Sequence, residues 1–276
     1  MKTYLVNANK ALVLPDIHQA VDGYAKKIID LEKGNYDHII CLGDYFDSHC
    51  DPSKINGIKE TGGFVKELIG GIYGDATLCL GNHDAGYMES WKANQSFQKR
   101  RYLFNGYNGF SNNKSMKINK ILSWEDWRSI QLFCEFGGHI LSHAGIHSAF
   151  WNFDKNRKDN LDFLWELSEE TLDLISLKPS RLLACGSSRG GSSPVGGLTW
   201  ADFCDDFVDN EYIGPQLVGH TKQYNIIRSK GKSYCLDGGQ TTYALLDKNG
   251  TLEKKSIVNG EMNIIEETGF RYRGWF

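Results

Sequence analysis

The sequence predicts an α/β fold built on short buried strands, and three observations carry that prediction. Three apolar runs, Ala11–Leu14, His38–Leu42 and Ala76–Leu80, each stop at polar or glycine residues, as strands covered on both faces do. Between the first two, Val21, Tyr24, Ala25, Ile28, Ile29 and Leu31 recur at helical spacing, with Lys26, Lys27 and Glu32 on the other side and Gly34 as a C-terminal stop. A second helix around Ile55–Ile69 precedes the third run, weakened by Gly57, Gly62 and Gly63.

Beyond this β-α-β start the pattern changes. From about 86 to 129, aromatic residues including Tyr87, Trp91, Phe97, Trp124 and Trp127 alternate with Asn, Ser, Gly and Lys, which reads as an insertion. The stretch "IQLFCEFGGHILSHAGI" then places two strand-like runs around Gly137-Gly138, a two-residue hairpin signal. Helical periodicity returns over Leu161–Leu177, and a Gly/Ser-rich loop follows at 185–197. The chain closes with strands at Gln216–Val218, Ser233–Leu236 and Tyr243–Leu246, the last entering a turn at Asp247–Gly250. No internal repeat is evident, and the expectation is one domain over 1–276 carrying the insertion and the loop.

Composition narrows the function classes. A hydrophobic content of 41% supports a substantial core, and a formal net charge of -3 offers no electrostatic footprint for nucleic acid. The seven cysteines show no zinc-type C-x-x-C pairing, and Cys41, Cys79 and Cys235 sit inside apolar runs, so buried reduced thiols are expected. The N-terminus lacks a leader-like apolar region and no stretch is long enough to span a bilayer, so the expected location is cytoplasmic, with no membrane partner.

The chemistry is written where the apolar runs end. Asp16-Ile17-His18, Gly43-Asp44 with Asp47, Gly81-Asn82-His83-Asp84, Ser142-His143-Ala144-Gly145 and Gly219-His220-Thr221 each follow such a run. In an open sheet the carboxyl ends of the strands share one edge, so five clusters would converge there. Asp, His and Asn suit ions such as Mn, Fe or Zn, and two ions about 3.5–4 Å apart can clamp the oxygens of an in-line phosphoryl displacement. The glycines before Asp44, Asn82 and His220 fit sharp turns that aim a ligand side chain into the crevice.

In this combination and order, D-x-H, G-D-x-x-D, G-N-H-D, S-H-A-G and G-H-T resemble the calcineurin-like metallophosphoesterase superfamily, over residues 16 to 221. The resemblance implies a four-layer α/β/β/α sandwich of two mixed sheets and a dinuclear centre of divalent metals, manganese foremost, with Fe, Zn, Ni or Co as alternatives. One metal would take Asp16, His18 and a bridging Asp44; the second would share Asp44 and add Asn82, His143 and His220. His83 matches the catalytic histidine, placed to protonate the leaving oxygen, and Asp47 would orient it. Water or hydroxide held between the metals would attack phosphorus directly, with no covalent enzyme intermediate.

Within the superfamily, Lys222 stands where nucleases and many phosphodiesterases place the second histidine of G-H-x-H. That favours the phosphoprotein phosphatase and bacterial diadenosine tetraphosphatase branch, as does "SYCLDGGQTTYALLD", which looks like its closing D-x-G strand pair. The implied reaction is hydrolysis of a phosphate monoester, with a phosphoprotein, nucleotide or dinucleotide polyphosphate as partner. Two phosphate-gripping arginines of that branch are missing: Ser48 and His49 follow Asp47, and Asp202 stands two residues after Trp200. Arg189 in the Gly/Ser loop, or Arg100 and Arg101 in the aromatic segment, are the candidates to replace them, and His49 is a candidate substrate contact. A phosphodiesterase or nuclease of the same superfamily is the enzymatic alternative, and an inactive binding scaffold ranks below both, because every ligand position is filled by a competent residue. The aromatic rings read as a small cap on the sandwich or as a platform for a nucleobase. His38, His139 and His147 read as surface or supporting residues, and the closing "FRYRGWF" selects no role.

Overall fold

A computed structural model describes residues 3–48, 55–95, 109–257 and 263–266. The front of the chain alternates β1 (Lys10–Leu14), α1 (Lys26–Leu31), β2 (His38–Cys41), α2 (Ile58–Ile69) and β3 (Asp75–Leu78). Three helices follow, α3 (Asn82–Gln95), α4 (Asn112–Ile118) and α5 (Trp124–Ser129), then the hairpin β4 (Phe133–Phe136) and β5 (His139–Ser142) and the long α6 (Arg157–Asp173). The remainder is β6 (Gln216–Val218), β7 (Ile226–Lys230), β8 (Ser233–Cys235), β9 (Thr242–Asp247), β10 (Leu252–Ser256) and β11 (Asn263–Glu266).

These strands form two mixed sheets, in the orders β10-β9-β1-β2-β3 and β11-β7-β8-β6-β5-β4. In the first, β1, β2 and β3 run parallel while β9 returns antiparallel to β1. In the second, β5, β6 and β8 run parallel, β4 is antiparallel to β5, and β7 is antiparallel to β8 and parallel to β11. The two-residue strand period explains how one apolar run serves two layers. Ala11, Val13, Ile40 and Leu42 pack with Phe136, Leu141, Leu217 and Leu236 in a core between the sheets. Leu12, Leu14, Ile39 and Cys41 point the other way and join Ile28, Phe64 and Leu68 of α1 and α2. Leu161 and Leu164 of α6 cover the opposite sheet, beside Phe133 and Ile140. The result is the expected α/β/β/α sandwich.

Local chemistry explains where elements begin and end. Gly137 and Gly138 both adopt positive φ, 55° and 74°, the signature of a tight primed turn between β4 and β5. The helix expected over 161–177 instead begins at Arg157, because the Asn156 side chain accepts the Asp159 N–H at its start, and it ends at Asp173. The stretch expected as one helix from Val21 opens as a π-turn over Val21–Ala25, with Ala25 N–H reaching back to Ala20 O, before α1 proper. The six described cysteines are free, four of them buried. Among the described residues, no helix is long and apolar enough to cross a membrane.

Candidate functional site

The parallel strands of both sheets deliver their carboxyl ends to one edge. Asp16 and His18 follow β1, Asp44 and Asp47 follow β2, Asn82 and His83 open α3 just past β3, His143 follows β5 and His220 follows β6. Asp237, at the end of β8, is a further buried carboxyl that the sequence marks only through its D-x-G pattern.

Two donor groups share Asp44. Asp16, His18 and Asp44 form one, Asp44, His143 and His220 the other, and within each the candidate donor atoms lie within 4.8 Å of one another. His18 Nε2 is 3.6 Å from an oxygen of Asp16 and 3.6 Å from one of Asp44. His143 Nε2 is 3.5 Å from Asp44 Oδ2, 2.9 Å from Asn82 Oδ1 and 3.2 Å from His220 Nδ1. All six side chains are buried.

The hydrogen bonds fix which nitrogens face inward. His143 Nδ1 lies 3.1 Å from the Leu42 carbonyl and His18 Nδ1 lies 2.5 Å from the Asp47 carbonyl. A carbonyl only accepts, so each Nδ1 carries the proton, and in the neutral ring Nε2 presents a lone pair. Burial keeps both rings neutral: it lowers His18 to about 4 and His143 well below its usual value. Lone pairs therefore face carboxyl oxygens of Asp16 and Asp44, a contact that needs either a shared proton or a cation between them. Burial raises Asp16 to about 7 and Asp44 well above the carboxylate range, the latter helped by the neighbouring Asp16 and Asp84, against the opposing charge of His83. This donor set of mixed nitrogen and oxygen fits divalent ions.

The backbone here is strained to serve this geometry. His18, Asp44 and His220 all lie in the left-handed region, at φ of 47°, 53° and 65°. The glycines work in two ways. Gly43 has φ of 117°, whereas Gly81 and Gly219 are required for space, since a Cβ at either would sit about 2 Å from a carboxylate oxygen, of Asp44 and Asp16 respectively (2.1 and 2.0 Å). Asp84 ties the loops together by accepting Tyr45 N–H at 2.9 Å and Gly81 N–H at 3.2 Å, the latter closing the start of α3.

His83 stands beside the donor groups, with 22% of its side chain reaching solvent, its Nδ1 3.0 Å from Asp47 Oδ2 and its backbone N–H donating to Asp44 Oδ1 at 3.0 Å. Burial alone would lower its pKa, but the charges of Asp44 and Asp47 outweigh that and hold it up at about 9. Asp47 is equally crowded: burial opposes its ionisation, yet hydrogen bonds from His83 and Lys114 keep its carboxyl below the usual range. Lys114 and the hydroxyl of Tyr87, both from the aromatic segment, reach this carboxylate, and sequence reasoning passed Lys114 over because nothing in "SNNKSM" distinguishes it from a solvated lysine. The other described rings of that segment pack inward: Trp91 stacks on Trp124 at 5.4 Å and Trp127 is fully buried.

Arg189 reaches the site from the Gly/Ser loop. Its Nε pairs with Asp202 at 2.5 Å and its terminal nitrogen donates to Thr221 Oγ1 at 3.0 Å, next to His220, leaving the side chain 30% exposed. The residue standing where a branch arginine was expected thus holds an arginine from another loop. Lys222 lies over the Tyr224 ring at 5.2 Å. His38 bonds Thr77, His139 bonds Gly137 O and His147 caps a short 3-10 turn, all away from the donor groups. His49, Arg100, Arg101 and "FRYRGWF" lie outside the described residues.

A family model described as calcineurin-like phosphoesterase matches residues 10–224. The solved cold-active protein-tyrosine phosphatase of the psychrophile Shewanella sp. is similar in fold at 20% identity, covering 92% of this chain and 82% of that one with a TM-score of 0.55. A mutant cold-active protein tyrosine phosphatase matches with the same identity and coverage and a TM-score of 0.57. No curated protein sequence matches.

Proposed function

Because this chain belongs to the calcineurin-like phosphoesterase family, whose members hydrolyse phosphate esters, we propose that it is a dinuclear metal-dependent phosphomonoesterase acting on a phosphoprotein or nucleotide-type substrate. The observation that carries this reading is the pair of buried donor groups sharing Asp44, with histidine lone pairs turned toward carboxylates. Asp16, His18 and Asp44 would hold one divalent ion, and Asp44, Asn82, His143 and His220 the other. Such ions, when bound, supply Lewis-acid charge to phosphoryl oxygens and make water acidic enough to serve as nucleophile at neutral pH.

The protein's own groups complete the reaction. Water forms the new bond to phosphorus as the bond to the leaving oxygen breaks, and His83 gives that oxygen a proton from the ring nitrogen opposite Asp47. Asp47 sets the direction of the ring through the bond to Nδ1. Arg189, steadied by Asp202 and Thr221, offers its exposed guanidinium edge to a substrate phosphate, in place of the branch arginines. Lys222, a monodentate cation rather than an additional imidazole ligand, favours the monoester reading over the diester one.

The test is Mn²⁺-dependent hydrolysis of p-nitrophenyl phosphate against bis-p-nitrophenyl phosphate, with His83→Ala prepared in parallel. Preference for the monoester, lost in His83→Ala, is expected. Preference for the diester would replace this reading with a phosphodiesterase, and hydrolysis of neither by metal-loaded protein would count against both.

A further inference from the structure

We infer that Lys114 is a positioning residue for the Asp47–His83 pair, a clamp that fixes the orientation of the Asp47 carboxylate; the inference rests on the proposed role of His83 as proton donor. A carboxylate bonded to a histidine alone can rotate and share either oxygen. Here that freedom is removed. Lys114 Nζ lies 2.6 Å from Asp47 Oδ1 and the Tyr87 hydroxyl donates to the same oxygen at 2.8 Å, which leaves Oδ2 for His83 Nδ1 at 3.0 Å. The Gly109 carbonyl accepts a second proton of the Lys114 ammonium at 2.8 Å and lies 3.2 Å from the Tyr87 hydroxyl oxygen, whose single proton goes to Asp47, so that all three groups close around one carboxylate oxygen. Gly109 lies against the carboxylate itself: at φ of 95°, a Cβ there would fall 2.6 Å from Asp47 Oδ2.

A purely structural role does not account for this lysine. Its side chain is 1% exposed, and burying an ammonium costs free energy that a methionine or leucine at the same place on α4 would not incur. What the charge provides is a short, directional bond to one chosen oxygen. Helix α4 is held for that purpose against α3, whose first turn carries Asn82 and His83: Ser115 Oγ meets Ser90 Oγ at 2.7 Å. The clamp and the residue it steers are therefore mounted on adjoining helices.

The experiment is a double-mutant cycle with Lys114→Met and Asp47→Asn, singly and together, read by kcat and KM on phenyl phosphate and p-nitrophenyl phosphate in Mn²⁺-loaded protein. A misaligned proton donor predicts a kcat loss of about 10- to 100-fold for Lys114→Met on phenyl phosphate. The loss should be smaller on p-nitrophenyl phosphate, whose leaving oxygen needs less protonation, with KM and bound metal unchanged. In the Asp47→Asn background the same change should cost nothing further. Full kcat in Lys114→Met, equal losses on both substrates, or equal losses in both backgrounds would overturn the inference. Should Lys114→Met fail to fold by circular dichroism, Lys114→Gln, which keeps a donor and drops the charge, is read by the same three criteria. If His83→Ala retains full kcat, the proton-donor reading itself fails; if His83→Ala is inactive while Lys114→Met is not, only the clamp fails.

Discussion

Replacing Gly219 by alanine should disable metal binding while leaving the chain folded, and the structure gives the size of the effect. An added Cβ would stand 2.0 Å from Asp16 Oδ1. Carbon and oxygen that are not bonded rarely approach within about 3 Å, so the carboxylate must retreat by about 1 Å. Asp16 cannot do so freely, because both its oxygens accept from the His220 N–H, at 2.9 and 3.1 Å. Metal sites tolerate only about 0.2 Å of error in ligand distance. Displacing one donor by several times that margin should weaken Mn²⁺ binding at least about 100-fold, the upper end of what disturbing a supporting residue costs. Overpacking should destabilise the metal-free fold by about 1–3 kcal/mol, too little to unfold it. Calorimetric titration with Mn²⁺, with thermal unfolding in chelator, measures both numbers. Gly23→Ala is the control, since its Cβ would meet nothing within 4 Å. Wild-type metal affinity in Gly219→Ala would refute the assignment of Asp16 as a ligand.

Asn82→Ala should lose one equivalent of metal, whereas His83→Ala should keep both and lose kcat by about 10²- to 10⁴-fold; equal metal loss in the two would contradict that division. Arg189→Ala should raise KM for phosphomonoesters with metal content unchanged, and Asp202→Ala should reproduce part of that rise by freeing the guanidinium; an unchanged KM in Arg189→Ala would remove it from substrate binding. In metal-free protein, burial raises Asp16 and Asp237 to about 7, so the folded state holds protons that the unfolded chain has released. That contribution to stability is fully present below about pH 4 and is lost as pH rises through about 7. Metal uptake near pH 6 should therefore expel protons, and the rise in Tm produced by Mn²⁺ should grow from pH 5 to 8; uptake without proton release, measured in buffers of different ionisation enthalpy, would show the carboxyls already ionised.

The sequence made the donor residues legible because they sit where apolar runs break, and a run that ends on Gly-Asp or Gly-Asn-His has no packing reason to do so. Strands β1, β2, β5 and β6 were readable for the same reason: both faces are buried, so the runs are continuous. Strand β10 was not, because Leu252–Ser256 is a partly exposed edge strand whose lysines and glutamate carry no apolar run. Strand β7 ends in Arg-Ser-Lys and was lost likewise. The reason for Gly81 and Gly219 was half legible: a glycine was expected for its backbone freedom, yet what excludes a side chain there is a carboxylate arriving from a different strand. Lys114 was invisible because it meets Asp47 from 67 residues away, and nothing local in a sequence marks an ammonium as buried.

Asp16, His18, Asp44 and Asn82 come from one sheet, and His143 and His220 from the other. The donor groups thus straddle a seam between the sheets that is otherwise filled largely by non-directional apolar packing. Ions seated there would act as rivets across the open end of the sandwich. Stripping them would leave each sheet's own ladder of hydrogen bonds intact and would remove that tie from one sheet to the other.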